Sequence, residues 1–445
     1  MFINVGLVSL GCPKNLVDSE VMLGLLREAK FNITSNEAEA DVLIVNTCGF
    51  IQSAKEESIR HIFELAQYKD RGRCQALVVT GCLAQRYHQE LMEEIPEIDA
   101  LVGPGHINDI VQIIKEILAN KQRKSHICEP EYIYDEYAPR LLSTPTYTAY
   151  IKVAEGCDNR CAYCAIPNIR GRFRSRPLES IVAEAKTLVA NGTREIILIA
   201  QDTTRYGQDI YGQYSLDKLL WLLQDIPDLK WIRILYCYPN RFTDGLIKAI
   251  AQLPKVCKYI DLPVQHANNE ILRAMGRPGN QQQVRSLIDR LRREIPGLVL
   301  RTSFIVGFPG ETEEQFQELL NFMQQVKFDR AGVFTYSQEE GTPAAELPNQ
   351  IPEEIKQERY HRAMTLQREI SLAQNQRRIG QVLEVLVEKV IDGSKNIYAG
   401  RSMGDAPEID GTVEIVSTRP LISGEFVHVK ITRALEYDLM GELAQ

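Results

Sequence analysis

The chain has 445 residues, 44% apolar and 25% charged, which is material for several packed domains rather than a disordered or fibrous chain. No apolar run approaches the roughly 18–20 residues that a bilayer requires, and a formal charge of −8 argues against a duplex-like nucleic acid as the main partner. The first residues, Met1 to Val8, lack a basic region and a small-residue cleavage site, so they read as a strand and the expected compartment is the cytoplasm, with no membrane contact. Ten cysteines are many for such a protein. Disulfides are disfavoured in that compartment, so clustered cysteines point to metal or catalysis.

Residues 1–120 alternate β-rich runs (Asn4–Leu10, Asp41–Asn46, Ala76–Thr80, Ala100–Val102) with helical patterns (Leu16–Ala29, Ala54–Tyr68, Ile107–Leu118). That alternation predicts an α/β domain with a doubly wound, mostly parallel sheet. Cys12, Cys48 and Cys82 each fall one or two residues beyond a predicted strand, where open sheets of this kind bind ligands. Three cysteines far apart in sequence are thus expected on one sheet edge. Gly11, Gly49 and Gly81 beside them leave room for a bulky cofactor. Three buried structural cysteines are the alternative. Residues 121–148, with Pro130, Pro139, Pro145 and four tyrosines, read as a linker over a surface.

A second alternating series occupies residues 149–375. Its strands are expected at Ala149–Ala154, Glu195–Ala200, Trp231–Tyr236, Tyr259–Val264, Val299–Val306 and Ala331–Tyr336. Its helices are expected at Leu178–Ala190, Leu216–Gln224, Asp244–Gln252, Gln281–Glu294 and Glu313–Val326. About six such units suit a partial (β/α) barrel. Directly after its first strand stands Cys157-x3-Cys161-x2-Cys164. Three thiolates in one loop suit an iron–sulfur cluster with one open iron, able to chelate S-adenosylmethionine. A zinc knuckle would want a fourth Cys or His, and none follows nearby.

Around that rim, Tyr163 can stack on adenine or simply pack. Gln201 and Gln265 follow the second and fourth strands. Arg301, Ser303 and Ile305, on the fifth strand before Gly307-Phe308-Pro309-Gly310-Glu311, complete the residues expected to hold the cofactor. His266 alone is a weak signal. Arg170, Arg172, Arg174 and Arg176 form either a solvated face or a seat for an acidic substrate. Cys74, Cys128, Cys237 and Cys257 share no pattern and read as structural.

Pro352 opens a helix reaching about Arg378, with a narrow apolar stripe of Ile355, Ala363, Leu366, Ile370 and Ala373. Residues 376–445 then turn to period two, at Val382–Val387, Gly411–Val416 and Phe426–Ile431, which predicts a small antiparallel β-barrel. From Arg377 onward, eight basic residues face eleven acidic ones, a net charge of −3. Asp405, Glu408 and Asp410 share one loop. Such a surface suits a basic protein better than RNA.

The run Leu10-Gly11-Cys12-Pro13-Lys14-Asn15-Leu16-Val17-Asp18-Ser19-Glu20, the C-x3-C-x2-C loop and the run Gly400–Gly411 in the terminal domain resemble the radical S-adenosylmethionine methylthiotransferases over essentially the whole chain. The resemblance implies two 4Fe–4S clusters, on Cys12/Cys48/Cys82 and Cys157/Cys161/Cys164, and a TRAM barrel at the C-terminus. It implies S-adenosylmethionine as both methyl donor and radical source. The branch it points to modifies the β-carbon of an aspartate in small-subunit ribosomal protein S-twelve, free or in the ribosome. An electron donor such as flavodoxin or ferredoxin is expected, and the sulfur source is not given. An aspartate β C–H is not acidic, so acid–base chemistry alone does not replace it. The rivals are a tRNA adenosine methylthiotransferase of the same family, with nucleic-acid contact otherwise secondary, and an iron–sulfur scaffold without radical chemistry.

Overall fold

The computed structural model describes residues 3–444. The N-terminal sheet has six parallel strands in the spatial order Asn32–Ile33, Asn4–Ser9, Val42–Thr47, Ala76–Gly81, Ala100–Val102, Lys124–His126. Val42–Thr47 and Ala76–Gly81 are buried along their whole length, which is why they read as unbroken apolar runs. Lys124–His126 lies in the segment expected as linker. It is instead a polar edge strand, and edge strands carry lysine and little apolar signal. The rest of that segment is a strap: Tyr134 is buried with its hydroxyl 3.2 Å from Glu184, and Arg140 pairs with both Glu20 and Glu184.

Six parallel strands form the central domain: Thr148–Lys152, Glu195–Ile199, Trp231–Ile234, Tyr259–Asp261, Val299–Val306 and Arg330–Thr335. They make two three-stranded sheets joined by a bridge between Ile232 and Val256 and by Cys237 N–H donating to the Asp261 carbonyl at 3.0 Å. The five expected helices carry the expected bounds. Capping boxes Asn280/Gln283 and Thr312/Gln315 fix the starts of two of them by satisfying orphan backbone N–H groups. Along Val299–Val306 burial alternates: Thr302, Phe304 and Val306 pack under the helices, while Arg301, Ser303 and Ile305 share the opposite, half-buried face.

That inner face is not left to solvent. Tyr150, Ile197, Ile199, Trp231 and Tyr259 join one core with Val17, Val21 and Met22 of the N-terminal helix Pro13–Glu28 and with Leu386 and Ala406 of the terminal domain. The three regions therefore share one core along the inner face of the open barrel.

The helix Glu353–Gln376 presents the expected stripe in part, with Ala363 and Ile370 buried and Leu366 packed on the core but Ile355 and Ala373 exposed. Ile355 is 40% exposed, while Lys356, Arg359, Gln367, Ser371 and Asn375 are buried beside Ala363 and Ile370. Its inward polar groups are matched: Arg359 donates to Glu311 at 3.0 Å, Gln367 to the Phe328 carbonyl at 3.1 Å and Asn375 to the Leu435 carbonyl at 3.0 Å. The helix is a polar splice between barrel and terminal domain.

The terminal domain is a closed five-stranded barrel of Val382–Asp392, Ile397–Ser402, Val413–Val416, Leu439–Leu443 and Phe426–Ala434. Its pairings are antiparallel except one, since Val413–Val416 and Leu439–Leu443 run parallel to close the ring. The loop expected as an acidic docking surface is turned inward. Asp405 is 1% exposed, pairs with Arg330 at 2.9 Å and accepts from the Ser402 backbone and hydroxyl. Asp410 accepts from the Tyr259 hydroxyl at 2.7 Å and from Ala406 N–H at 2.9 Å. Only Glu408 of the three is exposed. Charge counting sees the excess but not its direction.

Glu195 carries the other half of this latch. It is fully buried, accepts from Arg233 at 2.9 Å and from Arg401 at 2.6 Å, and Arg401 also reaches Glu388 at 2.7 Å. Burial alone would raise its carboxyl, but the Arg401 and Arg233 guanidinium groups hold it at about 2. Glu195→Ala leaves two buried cations facing each other, and is expected to destabilise the assembly by about 3–5 kcal/mol, read as an early unfolding transition in calorimetry. Because the folded group sits below its ordinary 4.5, this stabilisation is complete above pH 4.5 and is lost as pH falls towards 2. The same transition should move down through that window in wild type and should not do so in the variant.

Candidate functional site

In the N-terminal sheet Ser9 stands opposite Asn46, and Thr47 opposite Gly81. Cys12, Cys48 and Cys82 therefore leave the same sheet edge. The glycines beside them serve the loops more than an open cavity. A Cβ on Gly11, whose φ is +89°, would stand 2.8 Å from the Cys48 Cβ and 3.2 Å from its Sγ. A Cβ on Gly49 would stand 2.8 Å from the Leu83 Cα and 3.1 Å from the Cys82 carbonyl carbon. These contacts let the three strand ends approach one another.

Cys157, Cys161 and Cys164 lie in a loop pinned from two sides. Ala162 N–H donates to the Met275 carbonyl at 2.8 Å, and Ala344 N–H to the Ala162 carbonyl at 2.8 Å. Arg277 extends towards the Cys161 sulfur at 3.9 Å, and its guanidinium stacks 4.1 Å from the Tyr238 ring centroid. Among the described residues no three His, Cys, Asp or Glu side chains close round a single metal ion.

Burial pushes the Cys48 and Cys164 thiols up to about 12 and the Cys157 thiol to about 11. Neighbouring thiols of the same triad push in the same direction. Buried thiols crowded this way give up their protons more readily with a cationic centre among them, which a bound iron–sulfur cluster would supply.

The two triads adjoin. Cys82 packs against Ala165 and Ile169, and Ala165 directly follows Cys164. At the end of the short helix Ile166–Arg170, Arg170 is 2% exposed and reaches back to the other domain. It donates to Asp18 at 2.6 Å, to Glu155 at 3.4 Å, to the Asn15 side chain and to the Cys82 sulfur at 3.6 Å. Lys152 pairs with the same two carboxylates, Asp18 and Glu155, the latter at 2.7 Å. Burial opposes ionisation of Glu155, but Lys152 and Arg170 hold its carboxyl well below the usual range.

The arginine run is thus divided, part of it solvated and part of it buried on carboxylates. Arg170 and Arg176 are buried, Arg176 on Glu184, while Arg172 is 84% exposed. Sequence reading missed Asn15, Asp18, Ser19 and Glu20 as well. The available signal was a run of polar residues on a helix whose Val17, Val21 and Met22 are core, where solvated residues have no place.

The expected cofactor residues divide into two groups. Tyr163 and Ile305 lie in one cluster with Ala162, Phe308 and Tyr336, next to the cysteine loop. Gln201 donates to Glu155, and its Oε1 is buried without a partner. Gln265 has φ +75°, an uncommon conformation outside glycine, and bridges to the fifth strand through Ser303 and Ile305 backbone groups. Ser303 shares the inner face with these. Arg301 is engaged elsewhere, on Asp261 at 2.7 Å and near Asp410 at 3.7 Å. His266 is fully buried, and burial with nearby Arg359 lowers it to about 3, so it is a neutral packing group. Cys74, Cys237 and Cys257 are buried and Cys128 is exposed.

A three-cysteine loop on a partial barrel, a second triad set against it from a parallel sheet, and a small terminal barrel together define the radical S-adenosylmethionine methylthiotransferases. The matching family models follow that layout: the uncharacterized protein family UPF0004 over residues 4–103, the radical SAM superfamily over 151–323 and the TRAM domain over 379–444. The ribosomal protein uS12 methylthiotransferase RimO of Desulforamulus reducens is 73% identical over 99% of this chain and 100% of its own length. Those of Heliobacterium modesticaldum and Geobacter sulfurreducens are 56% and 52% identical, over 98% and 99% of this chain and 94% and 98% of theirs. The chain belongs to the RimO family.

Among solved structures, the radical S-adenosylmethionine methyltransferase TsrM of Kitasatospora setae, with tryptophan and a SAM analogue, superposes with a TM-score of 0.58. It does so at 16% identity over 83% of this chain and 89% of its own, a likeness of fold.

The chain is thus an iron–sulfur, S-adenosylmethionine-dependent enzyme. Replacing Cys157, Cys161 and Cys164 together by Ala should remove half of about eight irons per chain and stop S-adenosylmethionine cleavage. The same change at Cys12, Cys48 and Cys82 should also remove half the iron but leave cleavage measurable. Full iron in the second variant would contradict a cluster there.

Proposed function

We propose that this chain inserts a methylthio group at the β-carbon of an aspartate in ribosomal protein uS12, with one 4Fe–4S cluster on each cysteine triad. The observation that carries it is the contact of Cys82 with Ala165, which sets the second triad beside the first. When bound, the clusters and S-adenosylmethionine supply one-electron cleavage of the sulfonium and a methylated sulfur for transfer.

The chain's own residues do the rest. Tyr163 offers its ring beside the loop, and Gln201 and Gln265 offer polar atoms at the strand ends. The half-buried inner face of Val299–Val306 offers Ser303 and Ile305. Arg277 and Arg170 each bring a buried cation to one triad, which favours the thiolate form. The shared core of the three regions holds the barrel against both of its neighbours.

No helix among the described residues is long and apolar enough to cross a membrane, which suits a cytoplasmic enzyme working beside the ribosome. A low-potential carrier such as flavodoxin or ferredoxin is the electron source that fits the chemistry. The domain limits we favour are 1–126, 149–375 and 376–445, with the strap between the first two; the edge strand Lys124–His126 moves the first limit out from the expected 120.

Reconstituted enzyme incubated with uS12, S-adenosylmethionine and reductant should give methylthiolated uS12 by mass analysis, and no modified tRNA when tRNA is supplied instead. Tyr163→Ala should raise the S-adenosylmethionine KM about tenfold, the scale of one lost stacking contact. An unchanged KM would remove Tyr163 from the cofactor site.

A further inference from the structure

Three lysines are buried: Lys14, Lys152 and Lys356. Lys152 and Lys356 have carboxylate partners. Lys14 is 7% exposed, and among the described residues it has neither an ion-pair partner nor a hydrogen-bond acceptor. Three acidic groups act on it, Cys12, Glu155 and Asp261, and all three have other commitments, the Cys12 thiol to its own triad. Glu155 is held by Lys152, Arg170 and Gln201. Asp261 is held by Arg301 and by Tyr236 N–H at 2.9 Å. Lys14 therefore has no carboxylate of its own.

What it does touch is a ring. Its Nζ stands 2.9 Å from the centroid of Tyr236. A ring face attracts a cation but does not satisfy three N–H donors. Tyr236 itself follows the third barrel strand with φ +63°, a conformation a bulky side chain adopts only under constraint. Such strain clusters where a site is shaped for a ligand. The place is chemically specific too: Lys14 is two residues from Cys12 and faces barrel residues Tyr236 and Asp261, between the second triad and the barrel interior.

We propose that Lys14 is the counter-ion for the carboxylate of the target side chain, and so the residue that makes the enzyme select aspartate. This rests on the reading of the chain as the enzyme that modifies an aspartate of uS12. The β-carbon is bonded directly to the carboxylate carbon. A sulfur delivered from the Cys12 triad to that carbon therefore brings the carboxylate next to the same triad, where Lys14 stands unpaired. A buried cation with no paired carboxylate is costly, and the substrate's carboxylate removes that cost. An asparagine in the same position leaves the ammonium unpaired, and sites built for one polar partner reject its neutral analogue strongly.

The test compares reconstituted enzyme binding uS12 with its target aspartate present or replaced by asparagine, measured by calorimetry, with iron per chain determined in parallel. Wild type should bind the aspartate form at least about tenfold more tightly. Lys14→Met should bind both forms alike while keeping its iron, and Lys14→Arg should restore part of the preference. A Lys14→Met enzyme that keeps the full preference overturns the proposal. So does a uniform loss on both forms with the preference intact, which would mean that Lys14 only offsets the charge of the cysteine triad. If Lys14→Met loses iron, wild type still decides: no preference between the two forms overturns the proposal without any variant. Failure of the underlying reading looks different, since wild type would then leave uS12 unmodified while cleaving S-adenosylmethionine.

Discussion

Arg170 joins two sites that the chain builds far apart. Its backbone belongs to the barrel, six positions after Cys164, and its guanidinium is spent on Asp18, Asn15 and the Cys82 sulfur of the N-terminal domain and on Glu155 of its own. With Lys152 the group contains two cations and two carboxylates, all at most 5% exposed. In so dry a place, removing one member leaves an uncompensated charge, so the network tolerates little rearrangement. Its directional contacts fix how the second cysteine triad faces the first. Apolar packing between Cys82, Ala165 and Ile169 brings the surfaces together, and the ion pairs set the register.

The terminal barrel is tied to the opposite part of the fold by the same means. Glu195, Trp231, Tyr259 and Arg330 each stand at the beginning of a barrel strand. Their partners there are Arg401, Glu384, Asp410 and Asp405 of the terminal domain. The TRAM domain thus closes the N-terminal ends of the strands, away from the cysteine loop at the other end. Its acidic excess does structural work: Asp405 and Asp410 are partners of the catalytic barrel, not an outward field. Recognition of a basic ribosomal protein is left to surfaces nearer the cysteines, where Lys14 and the half-buried inner face of Val299–Val306 lie.

Much of this was legible in the sequence. Strand–helix alternation predicted both α/β regions, and five barrel helices fall on their expected limits because apolar periodicity and capping residues mark them directly. Cysteine placement after strands foretold the convergence of Cys12, Cys48 and Cys82, since a parallel sheet sends all its strand ends to one edge. What was not legible is the pairing of buried charges. Arg170 and Arg172 look alike in sequence, yet one is buried on two carboxylates and the other is solvated. The stripe expected on Glu353–Gln376 holds only at Ala363, Leu366 and Ile370 for the same reason, since the rest of its inward face is satisfied by hydrogen bonds that no hydrophobic period records. Lys124–His126 was hidden because a polar edge strand lacks apolar alternation. Such features depend on which partner lies opposite, and that is a property of the fold.

The central claim is that the charged network fixes the separation of the two cysteine triads. Dipolar electron paramagnetic resonance between the two reduced clusters of the reconstituted enzyme measures that separation directly. The account predicts one narrow distance distribution in wild type and a broadened or lengthened one in Arg170→Met, with both clusters still loaded. An identical narrow distribution in that variant would contradict it, and would assign the register to apolar packing alone.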